Sequence, residues 1–123
     1  KPINVFNNGR MERDFTYITD IVEGILKIIT GSLETRKRTN QYYKVYNIGN
    51  NKSIKLLEFI EEIEKNLNLK SIKNMMPMQL GDVEKTWANV DSLIEDYDYS
   101  PNTSISFGVK QFINWYKKYN KIR

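Results

Sequence analysis

From Arg13 to Val22 the chain reads Arg-Asp-Phe-Thr-Tyr-Ile-Thr-Asp-Ile-Val, and its hydrophobic period changes inside that stretch. Phe15, Tyr17 and Ile18 are β-formers, whereas Ile21, Ile25, Ile28 and Ile29 recur at the spacing of one helix face. A short strand that runs straight into an amphipathic helix leaves few folds open, because it demands a sheet edge and a helix packed beside it. Asp20 is the predicted start of the helix, with Glu23 placed as its capping-box partner. Arg13 then stands at the mouth of a strand-turn-helix corner, just after the turn-prone Asn7-Asn8-Gly9. Its planar fork of donors suits a phosphate or a carboxylate there. On residue type alone, a surface pair of Arg13 with Asp14 is the simpler reading.

The rest of the chain repeats this grammar. Ile3, Val5 and Phe6 form a β-prone run ended by Asn7-Asn8-Gly9, and Phe6 reads first as a core aromatic. The helix after Asp20 should stop at Thr30-Gly31. Gly24 interrupts it at a cost of about 1 kcal/mol against alanine, which points to close packing against a strand. Ser32 to Gln41 is polar and basic without periodicity and reads as an exposed loop, with Arg36-Lys37-Arg38 solvated. Tyr43 to Ile48 is a predicted second strand, ended by Gly49-Asn50-Asn51. Asn47, at its end, has donors for a phosphate or for the turn backbone.

Ser53 is the predicted cap of the next helix, with Leu56, Leu57, Ile60, Ile63 and Leu67 inward and Glu58, Glu61, Glu62 and Lys65 in water. Lys70 to Met78 reads as a third strand with Pro77 at its exit, followed by the turn Gln79-Leu80-Gly81-Asp82. Thr86 to Asn89 is β-prone, and Asp91 to Tyr97 is a short helix. Ser104 should cap a final helix that buries Ile105, Val109, Phe112, Ile113 and Tyr116, with Trp115 and Tyr119 as packing residues. The expected architecture is a small α/β domain over residues 1–123. In it a few short strands, the corner strands pairing in parallel, pack with three to four helices.

A length of 123 residues admits one small domain and one core. The net charge of +4 is spread in blocks, basic at Arg36-Lys37-Arg38 and from Lys117 onward, acidic from Glu58 to Glu64 and from Asp91 to Asp98. That pattern argues against a phosphate-tracking groove for nucleic acid. With no histidine and no cysteine there is no imidazole base, no thiol nucleophile and no usual zinc set. No apolar run approaches a membrane span and none reads as a signal peptide, so a cytoplasmic protein is expected.

Arg13-Asp14-Phe15-Thr16-Tyr17-Ile18, then Asp20-Ile21-Val22-Glu23-Gly24, lies between Lys1-Pro2-Ile3 and Tyr46-Asn47-Ile48-Gly49-Asn50. Asn74-Met75-Met76-Pro77-Met78-Gln79-Leu80-Gly81-Asp82-Val83 and Phe112-Ile113-Asn114-Trp115-Tyr116 follow in order. This series resembles the C-terminal, substrate-binding part of the NAD-dependent epimerase/dehydratase family of extended short-chain dehydrogenases. Within that family it is most similar to bacterial UDP-glucuronate 4-epimerases.

The resemblance implies a set of roles. Arg13 would clamp the diphosphate of a UDP-sugar, Phe6 and the backbone at Asn4 would border uracil, and Asp82 would accept from a ribose hydroxyl. Asn47 would lie beside the diphosphate. Gln79 stands where many relatives carry a second phosphate-clamping arginine, so its neutral amide leaves more of that work to Arg13.

The resemblance also implies that NAD and the catalytic Tyr-x-x-x-Lys belong to an N-terminal domain outside this sequence. None of the eight tyrosines is followed by lysine four residues later, and Gly9, Gly24, Gly31, Gly49, Gly81 and Gly108 make no dinucleotide-binding spacing. The chain, which opens Lys-Pro-Ile, thus reads as a fragment that is inactive alone, from an enzyme that is a homodimer and interconverts UDP-glucuronate and UDP-galacturonate. A related sugar epimerase, decarboxylase or dehydratase, or a non-catalytic interaction module, are the other readings.

Overall fold

A computed structural model describes residues 1–31 and 43–122. The expected basic loop, with Arg36-Lys37-Arg38, lies outside the described residues. The chain divides into two compact units, one of Lys1–Arg13, Ser53–Thr86 and Ser104–Arg123, the other of Asp14–Lys52 and Trp87–Thr103.

The first unit carries every strand found among the described residues. β1 (Ile3–Val5) pairs in parallel with β4 (Lys73–Met75), in the register Ile3 with Lys73, Asn4 with Asn74 and Val5 with Met75. Asn7, Asn8 and Gly9 close β1 with three successive positive φ values of 49°, 49° and 78°, a geometry that asparagine and glycine tolerate best. β2 (Glu12–Arg13) pairs antiparallel with β3 (Ile54–Lys55). Helix α2 (Leu56–Leu67) follows β3 directly and packs against helix α4 (Ile105–Tyr119). Val5, Met11, Ile60, Val109 and Ile113 are its buried apolar residues.

The second unit is built from helix α1 (Ile18–Thr30), helix α3 (Asp91–Tyr97) and irregular chain between them. Val90, Leu93 and Tyr99 form its core, with Ile28, Tyr46, Ile48, Ala88 and Tyr97 packed around them. The Tyr99 hydroxyl donates to the Gly49 carbonyl at 2.9 Å. A Cβ at Gly24 would stand 3.2 Å from the Tyr99 ring and 3.4 Å from Ile48, so the glycine does mark close packing, though against a tyrosine rather than a strand.

Several expectations change in the folded chain. Tyr43–Ile48 is not a strand, because no neighbouring described segment forms a ladder with it, and β-propensity without a partner makes no sheet. The parallel pair is β1 with β4 instead of the two corner strands. Phe15 and Tyr17 lie outside the two-residue β2, and Ile18 already belongs to α1. Asp20 is not the cap of α1: Tyr17 takes that position, while the buried Asp20 accepts from the Thr103 hydroxyl at 2.8 Å and its N–H at 3.2 Å. Ser53 does not cap α2 either; it donates to Glu12 at 2.7 Å.

Two helices turn a different face inward than their periodicity suggested. In α1 the buried residues are Asp20 and Gly24, whereas Ile25 and Ile29 are exposed. In α4 Gly108, Val109 and Ile113 are buried, whereas Phe112, Trp115, Tyr116 and Tyr119 are exposed and stack on one another. Both helices are apolar on more than one side, so spacing alone could not select the buried row. Ser104 does cap α4, accepting from the Phe107 N–H, and α3 runs over the predicted residues.

Glu64, which ends the acidic block Glu58 to Glu64, is 5% exposed at the inner side of α2. It accepts from Lys70, from the hydroxyl and N–H of Ser71, and from Lys73 at the start of β4. The Lys73 contact first, then Ser71 and Lys70, hold its carboxyl well below the usual carboxylate range. The unfolded carboxyl titrates near pH ~4.3, so this contribution is complete above that value and disappears as pH falls through the lower folded value. Glu64→Gln is therefore expected to lower the thermal midpoint by several degrees at pH 7. Thermal melts at acid pH should show the two proteins converging.

Candidate functional site

Arg13 ends β2, and the backbone on both sides of that strand fixes its surroundings. On one side lies β3. On the other, the Glu12 N–H donates to the Glu84 carbonyl at 2.8 Å and the Thr86 N–H donates to the Glu12 carbonyl at 3.2 Å, a parallel bridge to residues 84–86. That bridge brings the Gln79–Asp82 turn to Arg13, across 69 residues of sequence.

The guanidinium is held at three points. Its Nη1 donates to the carbonyls of Glu12 at 2.8 Å and Glu84 at 3.2 Å, and its Nη2 donates to Asp82 Oδ1 at 2.8 Å. Both side chains remain partly open, at 28% and 32% exposure, so the pair is reachable by a ligand. Asp82 Oδ1 also accepts from the Val83 N–H at 2.9 Å, and the Asp82 N–H closes the turn on Gln79 at 3.2 Å. Beside it, Glu12 accepts from Ser53 and from Lys85 at 2.9 Å, and these partners keep its carboxyl below the ordinary range.

Of the six residues singled out from the sequence, the fold joins Arg13 and Asp82 directly. Gln79 is exposed and contributes its carbonyl to the Asp82 turn. Asn4 is exposed on β1, where its Oδ1 accepts from Asn74 across the parallel ladder at 3.0 Å. Phe6 opens the turn after β1 and is half-buried rather than a core aromatic. Asn47 belongs to the second unit, and its amide donates to the Asn89 carbonyl at 3.1 Å.

Arg13 and Asp14 do not pair with each other as neighbours. Asp14 instead accepts from the N–H groups of Asn50 at 2.9 Å, Asn51 at 3.1 Å and Ala88 at 3.2 Å, and from the Thr16 hydroxyl at 2.9 Å. Sequence reading missed this carboxylate and Glu64 alike. The one available signal for Asp14 was Gly49, where a Cβ would meet Asp14 Oδ2 at 2.7 Å and Ala88 at 2.6 Å.

Among the described residues no group of acidic side chains is arranged for a metal ion, and no helix is long and apolar enough to cross a membrane. Among the described residues, helices α1 and α2 start after Tyr17 and Lys55, without the glycine turn that lets a pyrophosphate approach the backbone.

Comparison with known proteins supplies the context for this geometry. Residues 1–49 match the NAD dependent epimerase/dehydratase family. Protein CapI of Staphylococcus aureus is 45% identical, the alignment covering 97% of this chain and 39% of that protein. A probable UDP-glucuronate 4-epimerase of Rhizobium meliloti is 38% identical over 94% of this chain and 37% of its own length. The crystal structure of UDP-glucuronic acid 4-epimerase from Bacillus cereus in complex with UDP-glucuronic acid and NAD superposes with a TM-score of 0.82. It is 28% identical, over 97% of this chain and 36% of that one. The chain thus spans well under half the length of these relatives. In sequence and in fold together, it resembles the NAD-dependent epimerase/dehydratase family, and over nearly all of its residues it is similar to UDP-glucuronate 4-epimerases.

Proposed function

We propose that the unit containing Arg13 binds the nucleotide of a UDP-sugar within a longer protein that interconverts UDP-glucuronate and UDP-galacturonate at C4. NAD, held by other parts of that protein, would supply the hydride chemistry of this interconversion. Residues of this chain supply binding alone. Arg13 neutralises the diphosphate, Asp82 accepts from a ribose hydroxyl, Phe6 and Asn4 border the base, and Gln79 offers a neutral amide beside the phosphates. Asn47, in the second unit with its amide on Asn89, is left out of this assignment.

The observation that carries the reading is the Arg13 guanidinium, fixed by two backbone carbonyls and one carboxylate yet open to solvent, in a chain similar to UDP-glucuronate 4-epimerases. A cation positioned before the ligand arrives loses little freedom on binding. The exposed row Ile18, Val22, Ile25 and Ile29 on α1 is consistent with further packing inside the longer protein.

Titrating the chain with UDP should shift the amide resonances of Arg13 and Phe6. Arg13→Ala removes a charge-assisted clamp and is expected to weaken UDP binding by about 50-fold or more. In the intact enzyme the same change should raise KM for the UDP-sugar strongly. Unchanged affinity and unchanged KM would take Arg13 out of the site.

A further inference from the structure

Resting on that nucleotide-binding reading, we propose that Asp82 makes Arg13 select nucleoside diphosphates over bare inorganic anions. The guanidinium has five N–H donors. Two go to the carbonyls of Glu12 and Glu84, which belong to the β2 bridge and hold the plane of the group regardless of ligand. The third partner, Asp82, is the charged one, and it sits on a different kind of support. It follows Gly81, whose φ is +81° and around which a Cβ would meet nothing within 4 Å. The carboxylate thus belongs to an open turn, whereas the two carbonyls belong to a bridged strand.

This arrangement treats two kinds of anion differently. Inorganic phosphate or pyrophosphate reaching Arg13 finds its charge already balanced at 2.8 Å. Such an anion must share or break the ion pair and lies beside a like charge, and the only donor it offers the displaced carboxylate is a P–OH that its own ionisation removes. A ribonucleoside diphosphate brings phosphates and hydroxyl donors together, so Asp82 exchanges Arg13 for a ribose hydroxyl while the phosphates take the guanidinium. The carboxylate raises the cost of the wrong ligand more than it helps the right one, which is how specificity is gained by repulsion.

The test is the affinity of the chain for UDP and for pyrophosphate, by titration calorimetry, in wild type, Asp82→Asn and Asp82→Ala. Asparagine keeps the side-chain shape and an oxygen for the Val83 N–H while removing the charge. Pyrophosphate should bind about tenfold more tightly to both variants while UDP binds no better, so the preference for UDP collapses by about tenfold or more. Glu61→Gln, which removes the same charge from the exposed face of α2, should leave the preference unchanged. Two results would overturn the proposal: equal weakening of both ligands by the Asp82 variants, which would mean that Asp82 only steadies Arg13, or the same shift with Glu61→Gln. The failure of the underlying reading looks different. In that case wild type takes up no UDP, or Arg13→Ala binds it as well as wild type does.

Discussion

Asp14→Ala is expected to destabilise the second unit by about 3 kcal/mol or more, although Asp14 is only half-buried and lies in no apolar core. Its carboxylate gathers three backbone N–H groups, those of Asn50, Asn51 and Ala88, with the Thr16 hydroxyl as a fourth donor. These amides come from segments about 36 and 74 residues away in sequence, so one side chain fastens three stretches of irregular chain. Alanine leaves the donors without an acceptor, and hydrogen bonds to a charged acceptor are worth about 1.5–3 kcal/mol each. Water entering the vacated space recovers part of that loss, which keeps the expectation below the full sum. Asp14→Asn should cost nearly as much, since it turns an amide N–H₂ toward N–H donors and keeps one oxygen. Urea unfolding measures the total, and hydrogen exchange locates it: the amides of Asn50, Asn51 and Ala88 should lose protection first. An unchanged midpoint would mean that the carboxylate is dispensable.

Tyr99→Ala should cost about 3–5 kcal/mol, the range for removing a fully buried aromatic ring. The ring is 1% exposed, packs with Val90 and Leu93, and lies against the backbone of α1 at Gly24. Tyr99→Phe isolates the hydrogen bond to the Gly49 carbonyl and should cost about 1 kcal/mol. The two variants also separate an alkaline effect. Burial foremost, and then the charges of Asp20, Asp14 and Glu23, push the Tyr99 phenol up to about 12. An unfolded tyrosine titrates near pH ~10, so the folded chain favours the neutral phenol. That contribution is complete below the unfolded value and is lost as pH rises from there through the folded value. Tyr46, raised in the same direction by burial and by Asp96, adds to the same window. Denaturation midpoints taken between pH 9 and 12 should therefore fall more steeply for wild type than for Tyr99→Phe. Parallel slopes would show that the buried phenol does not control alkaline stability.

The elements legible in the sequence were those whose signals are local. The Asn-Asn-Gly turn after β1, the short helix α3, the Gly24 packing site and the Ser104 cap each depend on residues within a turn or two of one another, or on the missing side chain of a glycine. The candidate site was half legible. Arg13 stood out as a forked cation beside a turn, whereas its partner was sought at Asp14 and found at Asp82. Asp20 and Ser53 follow one rule. A short polar side chain near a helix start resembles a cap in sequence, but both found a partner elsewhere in the chain. The apolar rows of α1 and α4 failed for the complementary reason, because a helix apolar on several sides carries no record of which side will be covered.

By itself, then, the sequence determined where the helices and turns lie and that one arginine stands beside a turn, since backbone propensity and capping act over a few residues. Only the tertiary structure decided which carboxylate faces that arginine, which helix faces are buried, and which extended segments become strands. Each of those choices is made by hydrogen bonds and burial between residues tens of positions apart, and no local pattern encodes them.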